Sequence, residues 1–600
     1  MLQYEKIVRR KSKMKKIILS AVVSSALIMG VTGCGDSQKK ASSTQAVKQE
    51  SKKVSKEDRQ KALNSRINSY AKYGFDINKT SEKSYILSIK EPAKAANLLL
   101  SMFSLNLSVS DTDKEALQNA INGAKFSVDI DWDKYVANQK DSVEVDYIGK
   151  GDESKAIAKI LQDKKVGAYL TYNGSDELKK IDFKNIDEKV MQDNEELHIQ
   201  LANAFVDISK LPNENSDDRV YTFNGGDMSV SLKDEFNSTV EVGYKNTVCN
   251  VDKSNSYLGT QDCKIPTISI VTDKGSKEEL DITINDTVYN YKSAAKNSKL
   301  DEDVLFSIKS IDTNTNIHVK GIKVSTTFND IDENIIKEYM NLVEAPSANV
   351  KQDLGKLLSL AGKIYQGGSN FTYDVSLDTI KADTTDINVQ IEGYTEKGKG
   401  SFDKNITYDD VASIKNITLS DPKNKNNGFV LENFRLNTGV KDVYNMIPEL
   451  MDILGVLSSE DNVTKVQTTM QKDGTALANK IVNQGFGVYI KPLGFDKVNF
   501  SNRRLQYALG KSDFDIDLRL VPNNVQVDTN NPMLPMMLIS YLKADGKLVV
   551  PIKDLQELAK KPEFAMLGML MMMAKIEGEN AVFVIKFENG KLLVNGQPMM

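Results

Sequence analysis

Two histidines, three cysteines and one tryptophan in 600 residues leave little material for metal or nucleophilic chemistry. His198 stands in Leu-His-Ile and His318 in Ile-His-Val, so in a strand each ring alternates with its aliphatic neighbours and points to the solvated face. Neither has a second histidine at a zinc-binding spacing. The string Glu396-Lys397-Gly398-Lys399-Gly400 comes nearest to a phosphate-cradling loop, but it lacks the spacing of such loops and reads as a hairpin turn. Residues 129–133 and 513–517 carry alternating aspartates that match a calcium loop in composition only. Without its glycine and closing glutamate they read as the solvated face of strands. No catalytic, cofactor-binding or metal-ligating residue is assigned, and the expectation is a protein that is not an enzyme and uses no cofactor. A glycosidase working with paired carboxylates alone needs no motif and stays open as an alternative.

The cysteines speak to location. From Met14 the chain reads MKKIILSAVVSSALIMGVTGC, with two lysines, an apolar run and small residues ending at Cys34. These are the n-region, h-region and cleavage site of an export signal over residues 1–33, with Met14 the expected start. The run is shorter than the roughly 20 apolar residues of a spanning helix. Val31-Thr32-Gly33-Cys34 resembles the lipobox of bacterial lipoproteins, which implies that Cys34 becomes the acylated first residue. An ordinary secretory signal is the alternative. Two acyl chains suffice for stable attachment, so the membrane is the expected partner through a lipid anchor. Gly35 stands where an aspartate usually retains such proteins at the inner membrane, which favours the periplasmic face of an outer membrane. Residues 34–57 lack the aliphatics needed to offset ordering and read as a flexible tether spanning roughly 25 Å.

Cys249 and Cys263 remain, an even number in an exported chain, and suggest one disulfide. Residues 240–248 and 264–271 are strand-like, so the bridge is expected to staple the neck of a long hairpin loop. No C-x-x-C spacing supports a redox pair.

Hydrophobic residues make up 40% and charged ones 27%, with a net charge of −4, the signature of a globular body rather than a disordered chain. There is no cationic excess to hold a phosphate backbone, so nucleic acid is not an expected partner. Period-two alternation dominates, as in Leu280-Asp281-Ile282-Thr283-Ile284 and Ile387-Asn388-Val389-Gln390-Ile391, and predicts antiparallel strands with one wet face. Across Gly321 the apolar parity flips, which predicts a bulge. Helical patterns recur singly at residues 55–72, 330–344, 350–365, 440–457, 475–484 and 552–575, with Pro448 and Pro562 expected to kink or split two of them. The fold class is α+β, with long, curved antiparallel β-sheets, interspersed amphipathic helices and an elongated form. Residues 58–345 and 346–600 are expected to form two regions.

Two methionine-rich segments, residues 532–538 and 566–573, lie in the C-terminal part. Methionine fills irregular space and recurs on adaptable binding surfaces, so Met566, Met569, Leu570 and Met573 are candidates for an apolar ligand surface, with a buried helix as the alternative. The closing sequence Lys586-Phe587-Glu588-Asn589-Gly590-Lys591-Leu592-Leu593-Val594-Asn595-Gly596-Gln597-Pro598 resembles the end of the YdgA-like family of bacterial envelope proteins, and residues 475–520 are loosely similar to it. Members of that family begin with a hydrophobic segment that is not cleaved, whereas this chain has a lipobox. The resemblance implies an envelope location and no particular activity. The expected function is that of an envelope lipoprotein binding a hydrophobic ligand such as a lipid, or another envelope component. A protein-binding scaffold or assembly factor is the alternative.

Overall fold

The computed structural model describes residues 70–96 and 125–599, apart from 132–139, 150–165, 173–177, 193–194, 211–217, 345–349, 503–505, 522–537 and positions 235, 256, 461 and 565, plus scattered positions in 57–68 and 118–123. The expected export signal, Cys34, the tether up to residue 56 and residues 532–537 of the first methionine-rich segment lie outside the described residues. The chain forms two compact units that divide between Leu280 and Asp281. The expected division at 345/346 falls inside the second of them.

In the first unit the strands are β1 (Phe75–Lys79), β2 (Ser84–Ile89), β3 (Lys125–Asp131), β4 (Lys140–Gly149), β5 (Val166–Tyr172) and β6 (Leu178–Phe183). They continue with β7 (Ile186–Gln192), β8 (Glu195–Ala202), β9 (Phe205–Lys210), β10 (Arg219–Lys233), β11 (Thr239–Lys253) and β12 (Gly259–Thr272). Every pairing among them is antiparallel, and β9 and β8 lie end to end along one side of β10. Strict alternation in β2 buries Tyr85, Leu87 and Ile89, which pack with Tyr70, Phe75, Val128 and Ile130 as the core of this unit. Tyr70 meets Phe75 edge-to-face at 5.6 Å.

Cys249 and Cys263 sit directly opposite each other on β11 and β12, with their sulfurs joined. The ladder continues past them to Lys253 opposite Gly259, so the bridge lies within the sheet and not at the neck of a long loop. The polar residues after Cys249 are ladder residues because the turn needs only Ser254–Leu258. There Asn255 Oδ1 accepts from the backbone N–H groups of Tyr257 and Leu258 at 3.0 and 2.7 Å.

The second unit opens with a meander of long strands: β13 (Leu280–Lys296), β14 (Lys299–Thr313), β15 (Ile317–Asp332), β16 (Ser369–Asp383), β17 (Asn388–Phe402), β18 (Asn405–Asp421) and β19 (Asn424–Tyr444). Then come β20 (Phe486–Phe495), β21 (Lys497–Ser501), β22 (Gln506–Leu509), β23 (Ser512–Leu520), β24 (Leu542–Pro551), β25 (Lys575–Glu577), β26 (Asn580–Glu588), β27 (Lys591–Val594) and β28 (Gln597–Pro598). The pairings are antiparallel, and β20 and β21 together cover one side of β19. Asn589-Gly590 and Asn595-Gly596, all at positive φ, close the two last turns as their residue types require.

Helices are few. α1 (Glu333–Glu344) and α2 (Val350–Ile364) lie between β15 and β16, and α3 (Ile447–Ser459) and α4 (Val463–Gln484) between β19 and β20. α2 and α3 meet where no side chain intervenes: a Cβ on Gly355 would lie 2.7 Å from the Gly455 carbonyl oxygen. Residues 440–444 complete β19 instead of opening a helix, and Pro448 stands in the first turn of α3, where it disrupts nothing. α4 begins twelve residues before the expected start at 475, because Asn462 caps it by accepting from the N–H groups of Thr464 and Lys465 at 3.0 and 3.2 Å. The expected helix over 552–575 splits at Pro562 into α5 (Ile552–Ala559) and α6 (Met566–Met572). Val550, Leu555, Ala581, Phe583 and Val594 form a core there. Leu300, Ile331 and Phe402, near strand ends, and Leu360, on α2, are buried.

Candidate ligand-binding sheet face

A row of eight aliphatic residues runs without interruption across the second unit: Ile284, Ile311, Val319, Ile380, Ile391, Ile417, Leu431 and Val498 are successive cross-strand partners from β13 to β19 and on to β21. All eight are half-buried. The next residue in each strand gives an entirely polar row: Asn285, Ser310, Lys320, Thr379, Glu392, Asn416, Glu432 and Lys497.

The register then brings Asp286, Lys309, Gly321, Asp378, Gly393, Lys415, Asn433 and Asp496 together as a second polar row. Its members alternate. Asp286, Gly321, Gly393 and Asn433 have left-handed backbones, at φ 49, 68, 64 and 52°. Each of the others lays its side chain over a left-handed neighbour. Lys309 Nζ is 3.2 Å from Asp286, and Asn433 Nδ2 donates to Asp496 at 2.9 Å. A Cβ on Gly321 would collide with the Asp378 carboxylate. Beyond this line the apolar residues resume on the opposite parity, as Ile308, Ile322, Tyr394, Ile414 and Phe434. The flip at Gly321 is therefore one member of a line crossing the sheet. It involves no extra residue, since Ile308 and Ser310 stay in register with Ile322 and Lys320, so the expected bulge is replaced by a left-handed residue. In the first unit Asn246 is also left-handed, at φ 51°, but there the ladder between β10 and β11 shifts register at Gly226, itself at φ 56°.

On the resumed parity lies an aromatic and acidic cluster. Phe371 stacks on Tyr373, Phe402, Tyr408 and Phe328 at centroid distances of 6.3, 5.5, 6.1 and 6.0 Å. Gly398 and Gly400 make this possible: a Cβ would stand 2.1 Å from the Tyr373 ring and 2.3 Å from the Phe371 ring. The segment 396–400 is thus mid-strand in β17, where its glycines seat rings, and is not a hairpin turn. The Tyr373 hydroxyl lies 3.0 Å from Glu396 Oε1, 2.8 Å from Asp410 Oδ1 and 2.7 Å from the Tyr408 hydroxyl. Tyr394 donates to the other Glu396 oxygen. Burial and then these contacts push the Tyr373 hydroxyl well above the usual tyrosine range.

Beside this cluster is an open cleft of about 390 Å³ lined by Ser325, Thr327, Thr372, Tyr373, Asp374, Lys397, Gly398, Lys399, Asp409 and Val411. Its charges cancel in pairs, Lys397 with Asp374 at 2.7 Å and Lys399 with Asp409 at 3.7 Å. No cation is left over for a phosphate.

His198 and His318 each meet an aspartate, Asp187 at 2.6 Å and Asp312 at 2.9 Å. Asp513 and Asp517 are not simply solvated. Asp513 meets Arg435 at 3.2 Å, and Asp517 is held well below the usual carboxylate range by Arg519, with Lys491 adding to the effect. Among the described residues no group of three or more histidine, cysteine or acidic side chains is placed to hold a metal. Of the expected apolar surface, Met573 packs against the C-terminal core and Leu570 is exposed, while the side chains of Met566 and Met569 lie outside the described residues. Sequence reading missed the aliphatic row and the tyrosine–carboxylate cluster. The signal was there: aliphatic, two polar residues, aliphatic recurs as Ile308-Lys-Ser-Ile311, Val319-Lys-Gly-Ile322, Leu377-Asp-Thr-Ile380 and Ile414-Lys-Asn-Ile417. Compared with protein families, curated proteins and solved structures, the chain matches none.

Proposed function

We propose that this chain is a non-enzymatic lipoprotein of the bacterial cell envelope, anchored through Cys34, that binds an amphiphile along the sheet of its second unit. The observation that carries this reading is the aliphatic row Ile284 to Val498, eight strands wide and half-buried throughout. Seven strand spacings of about 4.8 Å make it roughly 34 Å long, ample for an acyl chain lying across the strands. On this reading the line of left-handed residues lets the long strands curve around the bound chain, and the helices turn their apolar sides to the strand ends. Mass spectrometry of organic extracts from the full chain carrying Cys34→Ser tests it, since no covalent lipid then confuses the result. Co-purifying phospholipid or another amphiphile at one per chain is expected. A clean extract would count against it and favour the protein-binding scaffold.

A further inference from the structure

The aliphatic row does not stand alone on its face. Alternation puts residues two apart in a strand on the same side of the sheet, and directly opposite residues share that side. Two positions nearer the strand ends, Ile282, Ile317, Val389, Leu419, Phe429 and Phe500 therefore lie beside the row on β13, β15, β17, β18, β19 and β21, and none of the residues between is left-handed. They form a ladder of their own: Ile317 pairs with Ala382, Ala382 with Val389, Val389 with Leu419, Leu419 with Phe429 and Phe429 with Phe500. On β22, Leu509 and Tyr507 extend the two rows opposite Val498 and Phe500, and Tyr507 stacks on Phe500 at 5.3 Å. The face thus carries a strip of two parallel apolar rows.

Polar residues bound the strip. Toward the strand middles the next position on the same side holds Lys309, Asp378 and Lys415, in three strands without a left-handed residue, and all three are exposed. Toward the strand ends the chain turns through Thr384, Asp421 and Asn427. The strip itself is half-buried, apart from Ile317, which is exposed. Exposed charges directly beside it mean that water, or a ligand, reaches this face along that margin.

Width decides what fits. Two residues of strand set the rows about 7 Å apart. A single acyl chain laid along one row leaves the other in water, at a cost that grows with the apolar area exposed. Two chains side by side cover both rows. We infer that the strip takes a lipid with two acyl chains, one along each row. This rests on the amphiphile-binding reading and names the class of lipid. A single-chain amphiphile then binds twice.

Native mass spectrometry of the full chain carrying Cys34→Ser, stripped of lipid, counts the bound molecules. Oleoyl lysophosphatidylcholine, below its micellar concentration, should bind as two per chain, and dioleoyl phosphatidylcholine, offered in vesicles, as one. Val389→Thr with Leu419→Thr, which alters only the second row, should lower the lysolipid count from two to one and weaken binding of the diacyl lipid about tenfold. One lysolipid on the unaltered chain would overturn the two-chain strip and spare the amphiphile reading. Three or more would overturn it too, since the strip would then have no defined width. Two lysolipids without the diacyl lipid would show rows that one molecule does not span, and would remove the two-chain lipid as occupant. Binding of neither lipid would overturn both readings.

Discussion

Several tyrosine hydroxyls of the second unit lie against carboxylates, and their protons are held firmly. A hydrogen bond to Glu396, with burial adding to it, pushes Tyr394 up to about 12. Burial, with a bond to Asp409, pushes Tyr489 up to about 12 as well. An unfolded tyrosine ionises near pH 10, so the folded state holds these protons the better of the two. Their contribution to stability is complete below about pH 10 and disappears as pH rises from there through about 12. A near-ultraviolet absorbance titration should therefore show a late-ionising fraction among the 22 tyrosines, reduced in Tyr489→Phe. Ionisation of every tyrosine together near pH 10 would contradict these contacts. At this scale the sequence was only half legible. Glu396 to Gly400 stood out, but glycine and lysine in short succession mark turns far more often than ring seats, and Phe371 and Tyr373, which the glycines serve, are some 25 residues away in the chain.

Elements were read more readily, because alternation is local and dominates every long strand. What alternation cannot show is that the interruptions line up: that depends on register, which joins residues as far apart as Asp286 and Asp496. The line of left-handed positions gives a test. Asn433 has φ 52°, and the other left-handed members of the line are Asp286, Gly321 and Gly393. Asn433→Gly should change stability by no more than a few tenths of a kcal/mol, since glycine adopts this backbone freely. Asn433→Val should cost about 1–2 kcal/mol, because a β-branched residue resists it. Denaturant midpoints of the two variants measure the difference, and equal midpoints would mean that the backbone there is not left-handed in solution. Helix ends were misplaced for a related reason. Residues 440–444 carry apolar spacing that suits either state, and pairing with β18 and β20 decides for the strand.

For the whole second unit, the aliphatic row either serves as a core or presents a surface, and stability separates the two. A core position truncated to a smaller polar residue loses about 2–5 kcal/mol through lost burial and a residual cavity. A half-buried position open to a ligand loses only the area it had buried, at about 25 cal/mol per Å², or about 1 kcal/mol. Ile391 and Ile417 are cross-strand partners at the middle of the row and both are half-buried. Threonine keeps the strand preference of isoleucine while removing its apolar end. Ile391→Thr together with Ile417→Thr, in the full chain carrying Cys34→Ser, should therefore cost about 2 kcal/mol when stripped of lipid and should release most of the co-purifying amphiphile. The stabilisation that ligand gives the unaltered chain, about 2.7 kcal/mol at a hundredfold excess over the dissociation constant, should shrink in the double variant. A loss of 5 kcal/mol or more in the stripped protein, with lipid content unchanged, would make the row a sealed core and remove the surface on which amphiphile binding rests.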